Sequence, residues 1–399
     1  KGSGKTSITS TGTVTAGSDN GIYADNSDWS SGSQTTSSAT DITIKANNVN
    51  AFGFGINAQS YGTGSTTITA TGTVKGGVGQ TDQTANSDGI YAWNGATTKD
   101  LSITAKDVTG LDDGISATNK GSGSTEITAT GTIKGGVDQT ANSDGIFGYN
   151  YASAKNLIIT AKDVTGLEDG VVAVNLGTGS IAISLSGDVN VTSTKLNTAA
   201  KTADYEDESH HYGIGASNYG TDIDIVTTGD VTSIDRGIYA TNFGSGSTTI
   251  TSSGSIYASL NQNDESYNQA GIEAYNASSA TNIIISAKNV EALTHGIYAK
   301  NLGSGSTEIS VSGNVIGRGS GAEGIHTAGS GATITVTTTA DVRGTAEGIE
   351  TDSKADTVTV NGSVTGLNGT AILLGGGNDT VNLGTTATVT GTIDGGTGS

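Results

Sequence analysis

The chain has 399 residues, a formal net charge of −20 and a pI near 4.3, so nucleic acid and anionic membrane are not expected partners. It contains 62 Gly but no Pro, Cys or Met. That composition rules out disulfides and thiolate chemistry, and suits a backbone committed to continuous hydrogen-bonded ladders. No apolar run approaches the ~18 residues of a membrane span, so direct membrane insertion of this stretch is not expected. With Lys1 first and Gly398-Ser399 last, the stretch reads as a fragment or a processed chain.

A Gly-Ile pair recurs along the chain. It stands at Gly21-Ile22, Gly55-Ile56, Gly89-Ile90, Gly114-Ile115 and Gly145-Ile146, then as Gly170-Val171. It returns at Gly213-Ile214, Gly237-Ile238, Gly271-Ile272, Gly296-Ile297, Gly324-Ile325 and Gly348-Ile349. A basal period of 24 or 25 residues plus insertions accounts for every spacing. A period this short means one solenoid coil per repeat.

Within one repeat, Ile115–Asn119, Thr125–Ala129 and Thr132–Lys134 alternate apolar and polar residues between Gly-rich turns. Period-2 alternation predicts three short β-strands per coil and no helix. The expected fold is all-β: a right-handed parallel β-helix of about 12–13 coils, forming one solenoid over 1–399. Regular coils fill 1–365 and Gly-rich coils 366–399. Insertions fall at 27–40 (with Trp29), 75–88, 134–144, 190–212, 257–270 and 316–323. All but the first precede an anchor Gly, so they share one corner, as binding loops of repeat proteins often do.

The alternation also assigns the core. Ile22, Ile56, Ile90, Ile115, Ile146, Val171, Ile214, Ile238, Ile272 and Ile297 point inward, each followed two residues later by a small residue, usually Ala. Ile68, Ile127, Ile183, Ile250 and Ile309 fill the second segment, and Val74, Ile133, Val189 and Ile256 the third. Asn26, Asn94, Asn119, Asn150, Asn175, Asn218, Asn242, Asn276 and Asn301 fall five residues after the anchor. They are expected to bond along the axis and to tolerate a left-handed turn.

Outward positions beside the anchor carry Tyr23, Tyr91, Trp93, Phe147, Tyr149, Tyr239, Tyr275 and Tyr298. Aromatics are only 5% of the chain, so their gathering on one face marks the expected partner-binding surface. The bland alternative is that strands favour aromatics, which cover neighbouring backbone.

Metal candidates are weak. Tyr205-Glu206-Asp207-Glu208-Ser209-His210-His211-Tyr212 places Glu206, Glu208, His210 and His211 together, but at no recognised ligand spacing. Gly375-Gly376-Gly377-Asn378-Asp379 resembles one copy of a calcium-binding nonapeptide, with Asn378 and Asp379 as candidates. Those repeats bind between adjacent copies, so the expectation is no cofactor, with calcium as the one ion the motif leaves open.

Catalysis is not expected. Asp112-Asp113 and Glu168-Asp169 lie on equivalent turns, the one place where paired carboxylates could cleave a glycan. Arg is limited to Arg236, Arg318 and Arg343, so no basic cluster awaits acidic sugars. The Thr67/Thr69 pair is replaced by Glu126/Thr128, Ala182/Ser184 and Asp224/Val226 in the corresponding coils, which breaks the flat lattice of an ice-binding face.

The coil pattern over 1–365 resembles the passenger domains of type V autotransporters, secreted parallel β-helices of Gram-negative bacteria. The more specific stretch is Leu374-Gly375-Gly376-Gly377-Asn378-Asp379-Thr380-Val381-Asn382-Leu383, followed by Gly391-Thr392-Ile393-Asp394-Gly395-Gly396. It is similar to a run near the C-terminal end of many such passengers. The resemblance implies a non-catalytic, adhesin-like or self-associating protein at the cell surface, outside the outer membrane. Its partners would be itself or a host or cell-surface protein or glycan. A surface-layer or filament protein, and a carbohydrate-active β-helix enzyme, are the rival readings.

Overall fold

The structure, a computed structural model, describes residues 4–28, 37–80, 87–136, 143–193, 211–259 and 269–397. Trp29, Glu206, Glu208 and His210 lie outside them, as do the middles of the insertions at 27–40, 75–88, 134–144, 190–212 and 257–270. Every element among the described residues is a β-strand, and there are 34 of them. Strand partners are parallel, and within each unit described below successive coils sit in register, as in a parallel β-helix. Two compact units emerge, Lys1–Ser193 with Asn218–Gly220, and Thr194–Ser217 with Thr221–Ser399.

In the N-terminal unit, Ile90–Asn94, Ile115–Asn119 and Ile146–Asn150 stack residue for residue: Ile on Ile, Ala92 on Ala117, Asn on Asn. Ile68, Ile90, Ile115, Ile127, Ile133 and Ile146 are fully buried, as the alternation requires. Fully burying one such side chain contributes about 1.5–3 kcal/mol, and each is shared between neighbouring coils. The anchor glycine answers to space. A Cβ on Gly114 would lie 2.6 Å from Ile133 Cγ2 and 2.5 Å from the carbonyl of Gly145, both far inside contact distance. At Gly148, where other coils have Ala, a Cβ would stand 3.1 Å from Leu157 Cδ1.

The expected break between second and third segments is often absent. Thr66–Lys75, Leu101–Thr109, Thr125–Lys134 and Leu157–Gly166 are single strands that turn the corner through a register irregularity, for example between Ala129 and Thr132. A β-bulge bends a strand while leaving the ladder on either side intact. Elsewhere the segments are separate strands, as at Ile181–Leu185 and Val189–Val191.

The C-terminal unit repeats the plan. Ile238–Asn242, Ile272–Asn276 and Ile297–Asn301 stack in register, with Ile325–Ala328 and Ile349–Thr351 following. Its columns of Ile238, Ile272, Ile297, Ile325 and Ile349 are fully buried. Residues 316–323 are fully described and carry the chain from the strand Asn314–Gly317 back to the anchor at Gly324.

The Asn column is buried and does bond along the axis, but mostly to backbone and hydroxyl groups of the neighbouring coil and without a left-handed turn. Asn119 Nδ2 donates to the Lys99 carbonyl at 3.3 Å and its Oδ1 accepts from the Gly121 amide at 2.9 Å. Asn276 Nδ2 donates to the Asn282 carbonyl at 2.9 Å. Only Asn175 and Asn218, at 2.9 Å, show a direct Asn–Asn bond among the described residues. None of these Asn is left-handed, and Ser259 is the one described non-glycine residue with positive φ. The amide is retained because a buried turn has backbone groups to satisfy, and one Asn can both donate and accept.

Candidate functional site: an aromatic face and two charged corners

The outward face of the N-terminal unit alternates large and small residues. Tyr23 pairs with Asn57, Asn57 with Tyr91, Tyr91 with Ser116 and Ser116 with Phe147. Two residues further along the same strands, Gln59, Trp93, Thr118 and Tyr149 alternate likewise. Adjacent parallel strands lie ~4.8 Å apart, so a ring beside a small residue has room to lie down over it. Asn57 and Ser116 are accordingly buried. Tyr91, Trp93, Phe147 and Tyr149 are half-buried, while Tyr23 is 49% exposed.

The rings also reach neighbours that the alternation did not single out. Tyr61 packs on Trp93 with centroids 4.5 Å apart, Phe54 on Tyr91 at 5.4 Å, and Tyr151 on Tyr149 at 4.8 Å. Lys120 Nζ stands 4.5 Å from the Tyr151 centroid and 5.6 Å from that of Trp93. Tyr61, Lys120 and Tyr151 all fall six residues after their anchor glycines, and this further column was the missed signal. A cation between two aromatic faces is held electrostatically by about 0.5–1 kcal/mol per contact at exposed sites.

In the C-terminal unit, the expected Tyr239 stacks on Tyr212 at 5.1 Å, and the Arg236 guanidinium lies 4.8 Å from the Tyr239 centroid. Arg236 Nε also donates to Glu273 Oε2 at 2.7 Å. Tyr275 packs near Phe243 at 6.2 Å, with Lys300 Nζ 5.9 Å from its ring. Tyr298 lies 5.2 Å from His326, edge to face. The eight expected aromatics are therefore surface positions, in two groups, one on each unit.

The residue just before the anchor glycine forms a second column. In the N-terminal unit, after Asn20 and Phe54, it is Asp88, Asp113, Asp144 and Asp169. The Asp113 amide donates to Asp88 Oδ1 at 3.3 Å and the Asp144 amide to Asp113 Oδ1 at 2.8 Å. Burial, then the charges of Asp113 and Asp112, push the Asp88 carboxyl well up. Burial, then Asp112, raise Asp113 to about 7. Burial raises Asp112 to about 6 against the Ser143 hydroxyl bond, 3.2 Å long, that lowers it. Asp144 is raised well above the ordinary range by burial, then Asp169. Asp113, weighed above for glycan cleavage, thus belongs to a stack of carboxyls that cap backbone amides, with Asp112 beside it on the Ser143 hydroxyl.

In the C-terminal unit the same column reads Tyr212, Arg236, Ala270, His295, Glu323 and Glu347. His295 Nδ1 meets Glu323 Oε2, and His326 Nδ1 lies 3.9 Å from that oxygen and from Glu350 Oε2. Burial raises Glu323, but the bonds and charges of the two imidazoles outweigh it and hold the carboxyl down at about 2.

The two metal candidates read from the sequence lie elsewhere. His211 is buried at the end of its insertion. Asp379 Oδ1 accepts from the Asp356 amide at 2.9 Å, and Gly377 before it takes φ +136°. Further acidic and amide caps went unread in the sequence. Asp41, Asp100, Asn156, Asp222 and Asn282 accept from the Ser amides of the Gly-Ser turns at 2.8–3.0 Å. A Cβ on Gly123 would sit 2.3 Å from Asp100 Oδ1, so those turns need their glycines to admit the caps.

Fold and surface together define a class: a parallel β-helix of in-register repeats with an aromatic outer face. No family model, no curated protein and no solved structure matches this chain.

Proposed function

We propose that this β-helix is a non-catalytic bacterial cell-surface protein, of the autotransporter-passenger type, that acts in self-association and adhesion through its aromatic outer face. The observation that carries the reading is the patch of Tyr61, Trp93, Lys120, Tyr151 and Tyr149, where four rings and one ammonium group pack together on the outside of the N-terminal unit. Tyr and Trp side chains of this kind are enriched among the residues that dominate protein contact surfaces, and aromatic rings stack on sugar rings. They are already braced against one another, so little side-chain freedom is lost on contact. The charge of −20 limits non-specific association, leaving contacts to such local patches.

The test is sedimentation velocity over a wide concentration range, beside adherence of cells displaying the protein. Wild type is compared with a Tyr91→Ser, Trp93→Ser, Phe147→Ser, Tyr149→Ser variant whose β-sheet circular dichroism is first shown intact. Concentration-dependent assembly and adherence, both lost in the variant, are expected. A monodisperse monomer throughout, together with equal adherence of the two proteins, would sink the proposal.

A further inference from the structure

Four histidines occur in the chain, and two of them converge on one carboxylate in the C-terminal unit. The convergence follows from the repeat. His295, Glu323 and Glu347 each precede an anchor glycine, and His326 and Glu350 each follow one by two residues. His326 and Glu350 are register partners on neighbouring strands. Stacking coils in register therefore brings five ligand-type side chains to one corner.

The donor atoms of His295, Glu323 and His326 all lie within 4.8 Å of one another, as do those of Glu323, Glu347 and Glu350. Glu323 belongs to both groups and is only 7% exposed. Its Oε2 meets His295 Nδ1, with His326 Nδ1 3.9 Å away, and none of these three buried atoms has a hydrogen-bond partner outside the cluster. The two imidazole planes stand at 89° with centroids 5.4 Å apart, an edge-to-face arrangement that directs ring edges toward a common point. Tyr298 stacks on His295 at 5.3 Å and meets His326 edge-on, which holds both rings in place. Buried donor atoms that converge from three side chains and have no partner outside the group are what a metal ion would satisfy. Two imidazoles with a carboxylate are the ligands of first-row transition ions, whereas calcium takes oxygen only.

We propose that His295, Glu323 and His326 bind one divalent transition-metal ion of the zinc class, with Glu350 as the adjoining carboxylate. Zn–N and Zn–O bonds of about 2.0–2.2 Å put ligand atoms about 3.3 Å apart, so side-chain rotations of the order of 1 Å close the site. The ion ties together two successive coils, with Glu350 reaching in from a third, by replacing the imidazole protons, with Nδ1 as ligand. The rival is an ion pair between protonated imidazole and Glu323 with no metal affinity.

The experiment titrates the full chain with zinc chloride, with calcium chloride as control, following the four histidine side chains by NMR and the binding heat by calorimetry. One zinc ion per chain is expected, with the resonances of His295 and His326 shifted, those of His210 and His211 unmoved, and no response to calcium. His326→Gln and Glu323→Gln are each expected to weaken zinc binding at least 10-fold. A His210→Gln, His211→Gln variant is expected to bind as wild type. Should either site variant fail to fold, the wild-type resonance assignment decides alone. No shift of His295 and His326 at millimolar zinc, or binding that is lost with His210 and His211, overturns the proposal.

Discussion

The residue before the anchor glycine is a carboxylate at Asp88, Asp113 and Asp144, and a mixture of signs at Arg236, His295 and Glu323. The backbone is the same at both places, as are the buried Ile and Ala behind it. Stacking repeats in register multiplies whatever charge a column carries. In the N-terminal unit burial, reinforced by the neighbouring carboxylates, raises those carboxyls, and the charge is relieved by proton uptake. In the C-terminal unit it is relieved by pairing: Arg236 with Glu273, and the imidazoles with Glu323. A parallel β-helix thus tolerates charge at a buried corner in two ways, with opposite responses to mutation.

The largest expected effect breaks the pairing. Arg236→Met strands Glu273, which is 9% exposed, and should cost about 3–5 kcal/mol. Both tryptophans belong to the N-terminal half of the sequence. The loss should therefore appear in the circular-dichroism unfolding curve before it appears in tryptophan fluorescence. Equal shifts of both signals would mean that the two units unfold as one.

Asp113→Asn should act in the other direction. It keeps the oxygen that accepts from the Asp144 amide and removes one charge from the stack. The folded carboxyl titrates at about 7, above its ordinary 3.8. The associated stability is fully present below the ordinary value, and is lost as pH rises through the folded value. The substitution should therefore stabilise by about 1–2 kcal/mol at pH 8 and by almost nothing near pH 4. Wild type itself should melt higher at pH 5 than at pH 8, measured by the N-terminal tryptophan signal. A flat profile, or one of the opposite slope, would show that the stack carries its protons unchanged into the unfolded chain.

The smallest effect sharpens the contrast between buried and exposed pairs. Lys106→Ala removes a 3.6 Å contact with Asp107 whose lysine is 59% exposed. It should change stability by less than about 0.5 kcal/mol, with no salt dependence beyond that of wild type.

The alternation of Ile115–Asn119 was enough to place Ile115 and Ala117 inside and to name the fold, because a period of two has one consistent assignment once one face is apolar. The corners were harder to read. That Thr125–Lys134 is one bent strand depends on a bulge, which has no side-chain signature of its own. The aromatic face was legible at Trp93 and Tyr149, but Lys120 joined it only through geometry, since a lysine in a turn is usually just solvated. The cluster at His295, Glu323 and His326 was invisible as a motif. Its members are 28 and 3 residues apart in sequence, and only in-register stacking turns that spacing into proximity.

The large-small alternation on the aromatic face has a consequence for how the length of the chain can change. The backbone repeats with every coil, but the face from Tyr23 through Asn57, Tyr91 and Ser116 to Phe147 repeats only with every second coil. Deleting the single coil that carries Ser116 and Thr118 would leave the core seamless, Ile90 meeting Ile146. It would also set Tyr91 and Trp93 directly against Phe147 and Tyr149, one strand spacing apart, with nothing small between them to cover. Such a protein gains or loses repeats without disturbing its surface only in pairs, as a woven cloth keeps its pattern only when threads are drawn out two at a time.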